Sequence, residues 1–197
     1  MKRVFIIGPG GVGKTTCGGL FATKIGYVFV DVDSEFMRRI GHIGEHIEQR
    51  GHADYCRANS ALLYELLEEQ TSDTVFALSS GFLVHEDVDC ALTKHRSVLR
   101  LGVSILVLPS ESLEETEAII VPRQLARGIG CREETQRRAI RDRHPRYLHF
   151  GDIKVLSIES PSRIAEAMKA KYLAIAEPSL AVERARPAAS RPSAPVN

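Results

Sequence analysis

The sequence predicts an α/β fold, a three-layer sandwich in which helices cover both faces of a five-stranded parallel sheet. Three observations carry that prediction. Short β-branched apolar runs, each suited to a buried parallel strand, alternate with segments of helical period. A glycine-rich turn joins the first run to the first helix. Small and acidic residues then follow the next strands, where an open parallel sheet binds its ligands.

Val4 to Ile7 is the first strand, and Gly8, Gly13, Lys14 and Thr15 after it fit G-x-x-x-x-G-K-[ST]. Thr16 to Lys24 contain no proline and read as a helix. Strand, glycine-rich turn and helix are the context that a phosphate-binding loop requires. Glycine permits backbone angles that let successive N–H groups converge on phosphate oxygens, and the helix N-terminus adds partial positive charge. The span Gly8 to Thr16, with Gly10, Gly11 and Val12 between the fixed positions, is therefore expected to hold a nucleoside triphosphate. Lys14 would neutralise the outer phosphates, and the Thr15 hydroxyl would ligate Mg²⁺.

Tyr27 to Val30 is a second buried strand, ending in Asp31-Val32-Asp33. A carboxylate there can hold a Mg²⁺-bound water or orient an attacking hydroxyl; the same turn can also cap a helix beginning near Ser34. A helical region broken by Gly41, Gly44 and Gly51 follows, and within it His42-Ile43-Gly44-Glu45-His46 fits H-x-x-E-H. Gly41 and Gly44 weaken the helix a zinc site would need, so a solvated helix face is expected instead. Tyr55, Ala58, Leu62 and Leu66, joined by Leu63 and Leu67, give a long amphipathic helix from about Ala53 to Gln70. Arg57 lies on another face of it, open either to an anion or to solvent.

Thr74 to Leu78 is the third strand and runs into Ser79-Ser80-Gly81, small residues that let a ligand approach the backbone or simply form a turn. A helix near Glu86 to His95 leads to the fourth strand, Val103 to Leu108. Ser110 is a candidate cap for a helix from Glu111 to about Ile119. The segment Val121 to Arg132, with Pro122, Arg123, Arg127, Gly128 and Gly130, has no clear period. It suits a lid that closes over phosphates, or a mobile basic loop. Glu133 to Arg143 is a charged helix stopping at His144-Pro145, with Arg137, Arg138 and Arg141 mostly solvated and Arg143 placed to turn inward. Ile153 to Ile158 is the fifth strand, and Ser160-Pro161 opens a last helix striped by Ile164, Met168, Tyr172 and Ile175. Residues 1–175 thus form a single domain with a lid at about 121–132, and 176–197 a disordered tail rich in Pro, Ala, Ser and Arg.

Composition narrows the function. Lys and Arg (26) nearly cancel Asp and Glu (25), which leaves no global field for nucleic acid or a membrane surface. No apolar stretch reaches membrane-spanning length. The four cysteines, Cys17, Cys56, Cys90 and Cys131, lie far apart and read as reduced thiols of a cytoplasmic protein. The expected partner is a small-molecule substrate, and the expected state a monomer or weak dimer.

Over about Lys2 to Leu173 the pattern resembles the shikimate kinase family, small kinases of the nucleoside-monophosphate-kinase class. Asp31-Val32-Asp33 matches the family's Asp-x-Asp, and Arg143-His144-Pro145-Arg146-Tyr147 resembles its Arg-x-Pro-x-Tyr. The resemblance implies ATP and Mg²⁺ as cofactors, with Asp31 serving the metal. It implies that Asp33 orients the attacking hydroxyl, that Arg143 binds a substrate carboxylate, and that Arg123 or Arg127 is the lid arginine on phosphate. Gly81, in the loop after the third strand, would contact the substrate.

Two motifs depart. Where the family carries Phe-Arg-x-x-Glu, this chain has Tyr55-Cys56-Arg57-Ala58-Asn59, so Cys56 replaces an arginine that binds carboxylate and Asn59 a substrate-binding glutamate. The family's Gly-Gly-Gly is Ser79-Ser80-Gly81 here. Losing a buried carboxylate ligand of that kind costs on the order of 2–5 kcal/mol. Arg57, about 100° around the helix, is the candidate replacement. The expected activity is ATP-dependent phosphoryl transfer to a hydroxyl of a small carboxylated metabolite, shikimate leading and a gluconate-type acceptor the rival. A nucleotide-binding module without an acceptor, or a family member with a decayed pocket, stands as the alternative. The GTP-switch motifs Asn-Lys-x-Asp and Asp-x-x-Gly are absent from the chain.

Overall fold

A computed structural model describes residues 1–84, 97–126 and 132–184, the side chains of 177–184 excepted. In chain order the described elements are β1 (Arg3–Ile7), α1 (Lys14–Ile25), β2 (Val28–Asp31), α2 (Val32–Arg39), α3 (Ile43–Arg50), α4 (His52–Glu69), β3 (Thr74–Ala77), a 3₁₀ turn at Leu99–Leu101, β4 (Val103–Leu108), α5 (Leu113–Leu125), α6 (Glu133–Tyr147), β5 (Ile153–Leu156) and α7 (Pro161–Arg184). The helix expected near Glu86 to His95 lies outside the described residues, as do Arg127, Gly128 and Gly130 of the lid segment.

The strands form one parallel sheet in the order β2-β3-β1-β4-β5. Strand alternation divides the core into two layers. Phe5, Ile7, Phe76, Leu106 and Leu108 face the side covered by α2, α4 and the end of α6, against Phe36, Leu63, Leu66 and Tyr147. Val4, Ile6, Val75, Ile105 and Val107 face the other, against Phe21 of α1, Ile120 of α5 and Met168 of α7. The apolar face expected of α4 is the one buried. Sheet order also explains why β2, read as fully buried, is not: it is an edge strand, and Val28 is exposed.

Several boundaries differ from the sequence reading. α2 begins at Val32, not near Ser34, and Asp31 of the acidic turn caps it, with Oδ1 accepting from the Ser34 amide at 2.9 Å. Ser112 caps α5, and Ser110 instead accepts from the Ser112 amide. Val121 to Leu125, expected in an irregular lid, complete α5 with Pro122 inside it. Similarly α6 passes through His144-Pro145 to Tyr147. Each proline sits in the last turn of its helix, so the amide hydrogen bond it removes and its clash with the carbonyl four residues before are followed by only two or three helical residues. The last turn of α6 is also held by its side chains: His144 meets the Ser110 carbonyl, Arg146 donates to Val84 O at 2.8 Å, and Tyr147 donates to Ser80 O. α7 continues to Arg184, past Glu177 where its end was expected; 185–197 lie outside the described residues.

Phe5 and Phe76 stack across β1 and β3 with ring centroids 5.7 Å apart, both fully buried. Phe76→Ala is expected to lower stability by about 3–5 kcal/mol, read from the denaturant midpoint at unchanged m-value.

Candidate active site

β3 lies between β1 and β2, so the segments leaving these three strands meet at one edge of the sheet. They are the loop from Gly8 to Gly13, the Asp31–Asp33 turn, and Ser79-Ser80-Gly81.

Gly8 has φ 153° and lies so near β4 that an added Cβ would stand 2.4 Å from the Val107 carbonyl oxygen. Gly11 (φ 79°) and Gly13 (φ 94°) complete the turn, and Val12 is buried beneath it. α1 then begins with no acidic residue in its first turn and no side-chain cap. Its first amides and its dipole are left for an anion. Lys14, buried, donates from Nζ to Gly8 O at 2.8 Å and Pro9 O at 3.1 Å, which holds the ammonium against the loop. Thr15 and Thr16 are exposed on the first turn.

The Thr15 hydroxyl donates to Asp31 Oδ2 at 2.6 Å. Asp31 thus caps α2 through one oxygen and meets Thr15 through the other, so capping α2 leaves its second oxygen beside the phosphate loop. A hydroxyl and a carboxylate oxygen beside the phosphate loop are the hard donors that Mg²⁺ takes, and these residues fit it.

Asp33 lines a cavity of about 410 Å³. Pro9 and Gly10 border it from the loop, Ser80 and Gly81 from the turn after β3, and His52 and Tyr55 from α4. Arg143, His144 and Tyr147 of α6 close another side, and Thr116 and Gln124 come from α5. Asp33 Oδ1 accepts from the Tyr55 hydroxyl at 3.3 Å and from the Ser79 hydroxyl, while Asn59 Nδ2 donates to Ser79 Oγ at 2.9 Å. Burial, then the charge of Asp33, raises the Tyr55 phenol, which stays a neutral donor. Burial likewise raises Tyr147.

The structure brings Gly8 to Thr16, Asp31, Asp33, Gly81 and Arg143 to this edge. It does not bring Arg57, which is 65% exposed and paired with Asp54 at 3.2 Å on the outer face of α4. Arg57 is one helical step from the cavity face, the wrong side for the lost arginine. Cys56, in that arginine's place, is buried with Sγ 3.7 Å from His52 Nδ1. Arg123 stands exposed on α5 and is not among the residues lining the cavity; its charge offsets part of the burial-driven rise of the Cys17 thiol in α1. The histidines of H-x-x-E-H are separated in role. His42 precedes α3 as its N-cap, and His46, expected on a solvated face, is buried edge-on to Phe36 with Nε2 3.0 Å from Asp54. Among the described residues, no group of three or more His, Cys, Asp and Glu gathers as a metal site.

Sequence reasoning missed Gln124, whose amide covers the loop so closely that a Cβ on Gly10 would stand 2.0 Å from Nε2. It missed Glu117, nearly buried on α5, which accepts from Arg137 (expected to be solvated) and from Arg141 at 2.9 Å. These bonds tie α5 to α6, and the two guanidiniums hold the Glu117 carboxyl below the usual range. No motif signals either residue, because each acts through a partner distant in sequence.

The family model for shikimate kinase matches residues 10–173. The chain belongs to the shikimate kinase family. A shikimate kinase of Geobacillus kaustophilus (strain HTA426) is 33% identical over 141 residues, 64% of this chain and 74% of the relative. One of Nitrosomonas europaea is 34% identical over 107 residues, which cover 54% of this chain and only 50% of that relative. Among solved structures, a shikimate kinase from Acinetobacter baumannii in complex with shikimate superposes with a TM-score of 0.73 at 20% identity, covering 91% of this chain and 96% of that one. A gluconokinase from Sinorhizobium meliloti 1021 gives 0.60 at 17% identity, covering 91% and 95%. At such identities these structures share the fold, that of the P-loop kinases. Among the described residues no helix is long and apolar enough to cross a membrane.

Two outcomes are expected. Gly8→Ala, strained in φ and driven into a backbone carbonyl, should unfold at lower temperature and bind ATP more weakly; Gly10→Ala, meeting only the end of a flexible side chain, should keep its melting temperature. For Glu117, whose folded pKa is lowered, the stabilisation is present above the unfolded value of about 4.3 and is lost as pH falls through the lower folded value. Glu117→Gln should therefore flatten the acid limb of the stability curve, measured by urea midpoints from neutral pH downward.

Proposed function

We propose that the chain transfers the γ-phosphoryl group of ATP to a hydroxyl of a small carboxylated metabolite, with shikimate the leading acceptor. One observation supports this reading above others: the phosphate loop, Asp33 and Arg143 border the same cavity.

In this reading the loop amides and Lys14 bind the phosphates, and Thr15 and Asp31 hold Mg²⁺. A metal held there would supply positive charge against the negative charge that develops on the phosphate oxygens. Asp33 orients the acceptor hydroxyl for in-line attack. As its oxygen bonds to phosphorus and the bond to the β-phosphate oxygen breaks, the hydroxyl proton passes late to Asp33, because the transition state is loose. Lys14 and Arg123, the latter carried by the end of α5, neutralise the transferred group. Arg143 anchors the acceptor carboxylate, and Gly81 leaves room beside it.

The departures at Cys56 and Asn59 favour a second reading, in which another polyol acid such as gluconate is the acceptor. The shikimate-bound relative and the gluconokinase share this fold, and neither decides between the two.

Purified protein with Mg²⁺ and ATP, supplied with shikimate or with gluconate, separates them. Shikimate-dependent ADP release is expected; release with gluconate alone would transfer the assignment, and no release with either would leave a nucleotide-binding module. Asp33→Asn should bind ATP as the wild type does and lower turnover by about 10²–10⁴-fold. Unchanged turnover would remove Asp33 from the mechanism.

A further inference from the structure

Tyr55, Asn59 and Ser79 occupy positions where the family pattern has Phe, Glu and Gly, and all lead to one carboxylate oxygen. The Tyr55 and Ser79 hydroxyls both donate to Asp33 Oδ1, and Asn59 Nδ2 donates to Ser79 Oγ. Each of the three is less than 9% exposed. Polar groups so buried are costly unless bonded, so the set stands or falls together.

Donor count fixes the direction of every bond. An ionised carboxylate only accepts, so both hydroxyls must donate to it. Ser79 has one proton and gives it to Asp33; its remaining capacity is as an acceptor, so Asn59 must present its NH₂ side. The chain of bonds runs from α4 through the turn after β3 to the start of α2. It joins side chains on three separate elements.

We propose that Tyr55, Ser79 and Asn59 are positioning residues that lock Asp33 through Oδ1 and reserve Oδ2 for the acceptor hydroxyl. The inference rests on the kinase reading above. Asn59 then serves Ser79 and not the acceptor, so this corner of the cavity supports the base where the family pattern supplies a substrate contact. Tyr55 is suited to the task because its ring is held edge-on to Phe36, with centroids 5.2 Å apart. A hydroxyl on a fixed ring restrains a carboxylate better than one on a free side chain.

The test uses full-length protein with isotope-labelled aspartate carboxyl carbons, the Asp33 resonance being assigned by its loss in Asp33→Asn. Tyr55→Phe and Ser79→Ala should each move that resonance, and Asn59→Ala should move it less. In steady-state assays with the acceptor that supports turnover, Tyr55→Phe and Ser79→Ala should each lower kcat roughly 10-fold at unchanged KM for ATP. Neither should lower it further in an Asp33→Asn background. An unmoved resonance in both variants overturns the proposal, as does a kcat loss that persists without the Asp33 carboxylate, which would mark a packing effect. If the wild type phosphorylates no acceptor, the kinase reading fails, and the resonance still decides whether this network holds Asp33.

Discussion

The seating of β3 between β1 and β2 is the constraint on which the site depends. In an all-parallel sheet every strand delivers its carboxyl end to the same edge, and strand order decides which ends are neighbours. Here the order makes neighbours of the phosphate loop, the Asp31–Asp33 turn and Ser79-Ser80-Gly81. Fully buried aromatic and branched side chains on both faces hold the order, and a register slip would turn those faces inside out. The stacking of Phe5 on Phe76 sits in the middle of this arrangement.

A second layer of organisation comes from helix ends pinned by side chains. Tyr147, Arg146 and His144 fasten the last turn of α6 to Ser80, Val84 and Ser110, which carries Arg143 to the cavity wall. Glu117 joins α6 to α5, and α5 lays Gln124 on the phosphate loop. The phosphate-loop wall and the wall that carries Arg143 are thus mechanically connected through a carboxylate held between two arginines. Prolines 122 and 145 lie in the last turn of these helices, with three and two helical residues after them, so each disturbs only a helix end.

Three departures from the family pattern, Tyr55, Asn59 and Ser79, form a structural unit. Read singly, Asn59 for Glu, Ser for Gly and Cys56 for Arg look like losses from a substrate site. In the fold, Asn59 donates to Ser79 and Ser79 to Asp33, while Cys56 is buried beside His52. Arg57 does not occupy the place of the family's arginine, because a one-residue offset on a helix points it to solvent and Asp54.

The sequence by itself determined the class of fold, the strands, the apolar face of α4 and the phosphate loop. Those follow from local rules: residue period, β-branching, and glycines at fixed spacing before a helix. It also placed Asp31 and Asp33 where β2 gives way to α2, and Arg143 in the later part of α6, beside boundaries that local pattern made legible even though α6 runs on to Tyr147. Only the tertiary structure decided the strand order, the exposure of β2, the passage of α5 and α6 through their prolines, and the burial of His46. It alone decided the partners of Asp33, for Tyr55, Asn59 and Ser79 reach that carboxylate across separations of 20 residues or more between bonded side chains. No local pattern encodes such contacts; they exist because packing brings three element ends to one place.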